Sequence, residues 1–182
     1  MRIATWNVNS VVARLPRLVE WLEQAAPDVV CLQETKVAQG AFPADEVTAL
    51  GYEIAQNGEG RWNGVAILSR AGLADVAPGL PGDPGWPDET TLEARTIAAT
   101  CGPVRLRSVY VPNGRTPDAP HFAYKLRWLA ALRETVVRLR EEHLRSTNQV
   151  RDRLRQFAIS RERVAARRQL MARQALSRRA PS

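Results

Sequence analysis

Three short segments hold the residues most able to do chemistry. Asn7 and Asn9 follow the β-prone run Arg2–Trp6, Gln33-Glu34 follow Val29-Val30-Cys31-Leu32, and Tyr110 to Asn113 close a third apolar run. In α/β sheets, ligand sites lie at the carboxyl ends of strands. A carboxylate placed after a buried strand costs free energy unless water or a cation meets it. Glu34 therefore reads either as a ligand for a hard metal ion or as a solvated loop carboxylate. Mg²⁺ suits the first reading, because it takes one or two carboxylates and keeps several waters.

The elements that must position these groups alternate between strand and helix. Pro16 predicts the first turn of a helix with Leu18, Leu22 and Ala25 as its apolar stripe, stopped by Pro27. Val29–Leu32 reads as a buried strand. Pro43 opens a short helix to Leu50, closed by Gly51, and Tyr52–Ala55 and Gly64–Leu68 read as strands. Asn63-Gly64 signals a turn before the second of these. Gly72–Pro87, with four Gly and four Pro, reads as a long loop. Arg95–Thr100 and Val104–Val111 read as strands. Residues 121–143 form a long helix carrying Phe122, Leu126, Leu129, Leu132, Val136 and Leu139 on one stripe.

Charge divides the chain at Leu144. Residues 1–144 hold 15 Lys+Arg and 17 Asp+Glu, whereas residues 145–182 hold 11 Arg and two acids, so the net +7 belongs to the last segment. That segment has no strand-like run and reads as an Arg-rich tail, helical or disordered. Its apolar residues Val150, Leu154, Phe157, Val164 and Met171 share a stripe that Arg161 and Arg168 interrupt. No stretch reaches the ~20 apolar residues of a membrane span, which excludes a transmembrane protein; no membrane partner is expected. The N-terminus does not read as a signal peptide. Cys31 and Cys101 sit in apolar runs, which predicts a reduced, cytoplasmic protein.

The wording of the segments carries a resemblance. P-D-V-V-C-L-Q-E-T-K (Pro27–Lys36) resembles the signature of the exonuclease III, or abasic-site endonuclease, family of the endonuclease/exonuclease/phosphatase superfamily. A-T-W-N-V-N-S (Ala4–Ser10) with Arg14, N-G-V-A-I-L-S-R (Asn63–Arg70), G-L-P-G-D-P (Gly79–Pro84), E-A-R-T-I (Glu93–Ile97), Y-V-P-N-G (Tyr110–Gly114) and K-L-R-W-L-A-A-L (Lys125–Leu132) match in order. The resemblance covers residues 1–144.

It implies an α/β fold, part of a four-layer sandwich of mixed sheets flanked by helices. It implies a DNA repair nuclease that uses Mg²⁺ or Mn²⁺ to cleave double-stranded DNA at 3′ ends and beside abasic sites, acting as a monomer. By the same resemblance Glu34 is the metal carboxylate, with Asn7 positioning it or the phosphate. Tyr110 is the catalytic residue against the scissile phosphate, Asn113 binds the phosphate region and Arg95 supports the site from its strand. Apart from the resemblance, Asn9 at a strand end and Trp62 in a loop before Asn63-Gly64 read as further substrate contacts. Lys36 and Tyr-Val-Pro-Asn-Gly point to the DNA branch rather than the phosphatases.

The chain also departs from the pattern. The family's Gly-Asp-Phe/Met-Asn, Arg-hydrophobic-Asp and Ser-Asp-His segments are absent from its 182 residues. Those segments carry the base that deprotonates water and its neighbours. The sequence thus predicts a truncated, impaired enzyme over residues 1–144, with 145–182 an out-of-frame product that does not belong to the fold. The alternative is a catalytically inactive DNA-binding or interaction remnant with a basic helix. His121 and His143, its two histidines, read as ordinary surface residues. Trp6, Trp21 and Trp128 read as core, and Trp62 and Trp86 as loop residues.

Overall fold

A computed structural model describes residues 1–177, with side chains described for residues 1–153. The chain divides into two compact units, Met1–Thr135 and a second beginning at Val136. All seven strands of the described residues lie in the first unit.

Strand β1 (Ile3–Asn7) leads through helix α1 (Val11–Ala25) to β2 (Val29–Gln33). A strand returning through a helix lies parallel to the first. The register runs from Ile3 opposite Val29 to Asn7 opposite Gln33. Both strands therefore end at the same edge, which brings Asn7 and Glu34 together. Helix α2 (Asp45–Ala49), β3 (Glu53–Asn57) and β4 (Val65–Ser69) complete a sheet of order β1-β2-β4-β3. Strands β5 (Ala74–Pro78), β6 (Thr96–Cys101) and β7 (Val104–Val109) form a second, antiparallel sheet of order β5-β6-β7.

The sheets pack on each other through Val29, Cys31, Ala55, Val65 and Ile67 of the first and Ile97, Ala99 and Cys101 of the second. β2 and β4 are buried on both faces, which explains their uninterrupted apolar runs. On the other side of the first sheet, Leu18 and Leu22 of α1 are fully buried against Val30, Leu32, Ala66 and Leu68. Each such leucine contributes roughly 1.5–3 kcal/mol by leaving water. A third cluster, Leu80, Tyr124, Trp128 and Ala131, seats the first turns of the last helix, α3 (Pro120–Ser177). Trp6 and Trp21 pack edge to face, 5.7 Å apart, against the α1 core.

Three expectations are corrected. Helix α1 begins at Val11 rather than at Pro16, because the Ser10 side chain accepts from Ala13 N and caps the helix there. Pro16 sits inside the helix on an exposed stretch. The first part of Gly72–Pro87 is a strand, not loop. It is an edge strand, where Pro78 is tolerated and a register shift between Ala74 and Ala77 absorbs the irregularity. Helix α3 continues to Ser177 instead of stopping near 143. No Gly or Pro interrupts residues 121–177, and Arg, Glu, Leu, Gln and Ala favour helix. The side chains of the tail stripe from Leu154 onward lie outside the described residues.

Candidate active site

Glu34 stands just past the end of β2, with φ +54. Its Oε1 accepts from Asn7 Nδ2 at 2.7 Å, and Lys36 Nζ lies 3.1 Å from Oε2. The Tyr110 hydroxyl donates to the same carboxylate. Burial pushes the Glu34 carboxyl up, but the hydrogen bonds from Asn7, Lys36 and Tyr110 and the Lys36 charge outweigh it. They hold the group below the usual carboxylate range, so it is ionised at neutral pH. Burial, followed by the Glu34 charge, pushes the Tyr110 phenol up, so it remains a proton donor. Lys36 Nζ also donates to Asn9 Oδ1. Asn7 Oδ1 receives Asn9 N at 3.1 Å, so both ends of the Asn7 amide are engaged and its side chain serves to position Glu34.

The loop that carries Glu34 is tied down from two sides. Ser10 N and Val11 N donate to the carbonyls of Glu34 and Thr35 at 2.7 and 3.0 Å. From the other side, Thr35 N donates to Gly64 O and Lys36 N to Asn63 O, both at 3.1 Å. Gly64 has φ +87, and a Cβ there would lie 2.2 Å from Thr35 Oγ1, so only glycine fits this approach. Asn9, Ser10, Glu34, Lys36, Asn63 and Arg115 are six of the eight non-glycine residues with positive φ among the described residues. Such conformations cost on the order of 1 kcal/mol or more each, and they gather where surrounding structure enforces a functional geometry.

Beside Tyr110 opens a cleft of about 310 Å³ lined by Trp62, Asn63, Glu93, Arg95, Tyr110, Asn113, Arg115 and His121. The Arg95 guanidinium lies 5.0 Å from the Tyr110 ring centroid and pairs with Glu93 at 2.6 Å. Glu93 also accepts from Tyr124 OH at 2.8 Å and Asn63 Nδ2 at 3.0 Å. Asn63 Nδ2 reaches Glu59 as well. Asn113 is exposed and accepts from Arg115 N at 2.9 Å. Trp62 is 67% exposed at the rim, while Trp86 is covered by His121 and Tyr124.

The structure thus brings Asn7, Asn9, Glu34 and Tyr110 into one cluster and Arg95, Asn113 and Trp62 into the adjoining cleft. Sequence reasoning missed Glu93, Asn63, Tyr124, Arg115 and the cleft position of His121. The alternation of Glu93 with Arg95, which puts them on one side of an extended segment, was the available signal for the ion pair. Among the described residues, no three His, Cys, Asp or Glu side chains are grouped to hold a metal ion.

The profile of the Endonuclease/Exonuclease/phosphatase family matches residues 4–166. The chain belongs to this family. It is 32% identical over 119 residues to the DNA repair nuclease APEX1 of Danio rerio, covering 62% of this chain and 36% of that protein. It is 36% identical over 83 residues to exodeoxyribonuclease III of Haemophilus influenzae, covering 46% and 31% of the two. Among solved structures it is similar to the 3′ phosphatase NExo from Neisseria bound to a product DNA hairpin. That match has a TM-score of 0.69 and 44% identity and covers 75% of this chain and 51% of the other. This family member therefore spans about half of that structure and about a third of those two relatives. Its fold is the mixed α/β arrangement of two sheets with helices seen in such neighbours, and the two sequence relatives are a DNA repair nuclease and an exodeoxyribonuclease.

Proposed function

We propose that this chain is a metal-dependent DNA nuclease of the exonuclease III type. Its reaction is hydrolysis of phosphodiesters in double-stranded DNA, as a 3′→5′ exonuclease and beside abasic sites. The observation that carries the reading is the ionised Glu34, held by Asn7, Lys36 and Tyr110 next to a cleft containing Arg95, Asn113 and Arg115. A phosphodiester resists attack because it is anionic, and fixed donors and cations around it lower that barrier.

The donor set fits Mg²⁺ or Mn²⁺ as a weak site. One ionised, 20% exposed carboxylate is available, and such ions complete their shell with waters and substrate phosphate oxygens. Glu34 would hold the ion and Asn7 would fix the carboxylate. Bound there, such an ion would supply charge neutralisation at the phosphate and a lowered pKa for a bound water. The protein's own groups do the rest. Tyr110 offers a phenolic proton at the end of β7, Lys36 neutralises the Glu34 loop, and Asn113 and Arg95 receive the phosphate region. Trp62 and Asn9 border the bound strand.

The family's water-activating aspartate motif is absent from the sequence, and general base catalysis contributes ~10²–10⁴ in rate. Activity is therefore expected at least ~10²-fold below a relative that carries the motif. The decisive assay uses a duplex with one abasic site, in Mg²⁺ and in EDTA. Slow, EDTA-sensitive cleavage supports the reading, and full activity refutes the impairment. No cleavage with retained binding favours the second reading, an inactive DNA-binding remnant. We further propose a monomer in a reducing, cytoplasmic compartment, in keeping with two buried free cysteines, Cys31 and Cys101.

A further inference from the structure

One group in the cleft beside Tyr110 takes no part in the steps above. His121 is the second residue of α3 and lines that cleft. Its ring lies 4.2 Å from the Trp86 ring, and Trp86 lies 5.5 Å from Tyr124. Tyr124 donates to Glu93, which is paired with Arg95. The imidazole is therefore set by an aromatic wall that is fastened to the buried ion pair, not left on free surface.

The same cleft has an unmet donor. Arg95 is 7% exposed, and its Nη1 is buried without a hydrogen-bond partner. Buried donors are almost always satisfied, so the unpartnered Nη1 of a cleft-lining arginine marks a place where a bound anion would supply the acceptor. His121 stands in the first turn of α3, the end of a helix at which anions are favoured.

The charges around His121 decide what its protonation would do. Glu93 and Arg95 offset each other, Tyr110 is neutral, and Arg115 supplies the remaining charge of the cleft lining. On its own helix Tyr124 and Lys125 follow one turn later, and Asp118 precedes the helix. In the loop that carries Trp86, Asp83 accepts from Trp128 Nε1 and Asp88 from Thr90 and Thr91, and Glu89 is exposed. With neutral His121 the cleft carries one net positive charge. With imidazolium it carries two.

We propose that His121 is a further phosphate-binding residue, and that its imidazolium pairs with a DNA phosphate lodged against Arg95 and Arg115. The proton comes from solvent, so DNA binding takes up a proton and strengthens as pH falls. This rests on the reading of the chain as a DNA nuclease.

The test is fluorescence anisotropy of a labelled abasic-site duplex with the full chain in EDTA, which prevents cleavage. Affinity is measured between about 50 and 200 mM salt at about pH 6 and pH 8. Each additional phosphate contact steepens the slope of log K against log salt by about 0.9. The wild-type slope is expected to be steeper at the lower pH by about that amount. His121→Phe keeps a ring on Trp86 without the charge, and its slope is expected to be shallow at both pH values. His121→Lys carries a constant charge and is expected to be steep at both, a result that stands even if the phenylalanine variant folds poorly. His143→Phe should behave as wild type. A pH-dependent slope that survives in His121→Phe, or one lost in His143→Phe, overturns the proposal alone. Absence of wild-type binding at every condition overturns the nuclease reading and this proposal together.

Discussion

Asn7 Nδ2 donates to Glu34 Oε1 at 2.7 Å across the ends of two parallel strands that are 27 residues apart in sequence. The contact follows from register. Asn7 pairs with Gln33, so the residue after Gln33 comes within reach of the Asn7 amide. Neither residue could hold this geometry without the other strand.

Glu34→Gln removes the only carboxylate of this cluster while keeping its shape. Mn²⁺ or Mg²⁺ affinity, read by calorimetry, is expected to fall at least ~10-fold, and any nuclease activity by ~10² or more. The thermal melt should fall only slightly, because glutamine keeps an acceptor for Asn7 but loses the Lys36 ion pair. Unchanged metal affinity would remove Glu34 from the metal role.

Glu93 and Arg95 form an ion pair whose side chains are 16% and 8% exposed. Burial raises the Glu93 carboxyl, but Arg95, Tyr124 and Asn63 outweigh it, so the folded state holds it below the usual carboxylate range. A depressed carboxyl contributes stability that is present above the unfolded value, about 4.3, and is lost as pH falls through the folded one. The melting temperature should therefore drop below about pH 5. Glu93→Gln leaves Arg95 buried and unpaired, at a cost of about 3–5 kcal/mol in urea unfolding, and should flatten that acid limb.

The two sheets share a polar bridge inside an apolar interface. Gln33 Nε2 donates to Ser108 Oγ at 3.2 Å, and Ser108 Oγ donates to Leu32 O at 3.1 Å. Ser108→Ala leaves both partners buried and short of a bond, so unfolding free energy should fall by about 1–3 kcal/mol. A variant as stable as wild type would mean that water replaces the hydroxyl.

The basic residues beyond Leu144 give a test of the alternative reading. Arg145, Arg151 and Arg153 are exposed on α3. If they are solvated rather than bound to DNA, replacing all three by Gln leaves the salt dependence of duplex binding unchanged. A slope shallower by about 0.9 for each arginine would instead support the DNA-binding helix.

Much of the fold was legible because its signals are local. The apolar runs Val29–Leu32 and Gly64–Leu68 marked buried strands, and the Leu18–Leu22 spacing marked the helix between them. Glu34 and Tyr110 stood out because each polar group ends such a run. Where the local signal misled, another force decided. Pro16 signalled a helix start, but the Ser10 cap set it at Val11.

By itself, then, the sequence determined most of the strand and helix runs of residues 1–144, though not β5 or the start of α1, together with the family and the carboxylate at the end of β2. Tertiary structure alone decided which groups meet in the cleft. Asn63 and Tyr124 reach Glu93 across 30 and 31 residues, and His121 meets Trp86 through the docking of α3. Those contacts depend on which elements become neighbours, and no spacing along the chain encodes that. The reason is physical: side-chain hydrogen bonds act over about 3 Å, while the partners are joined only by the packing of separate elements around a common core.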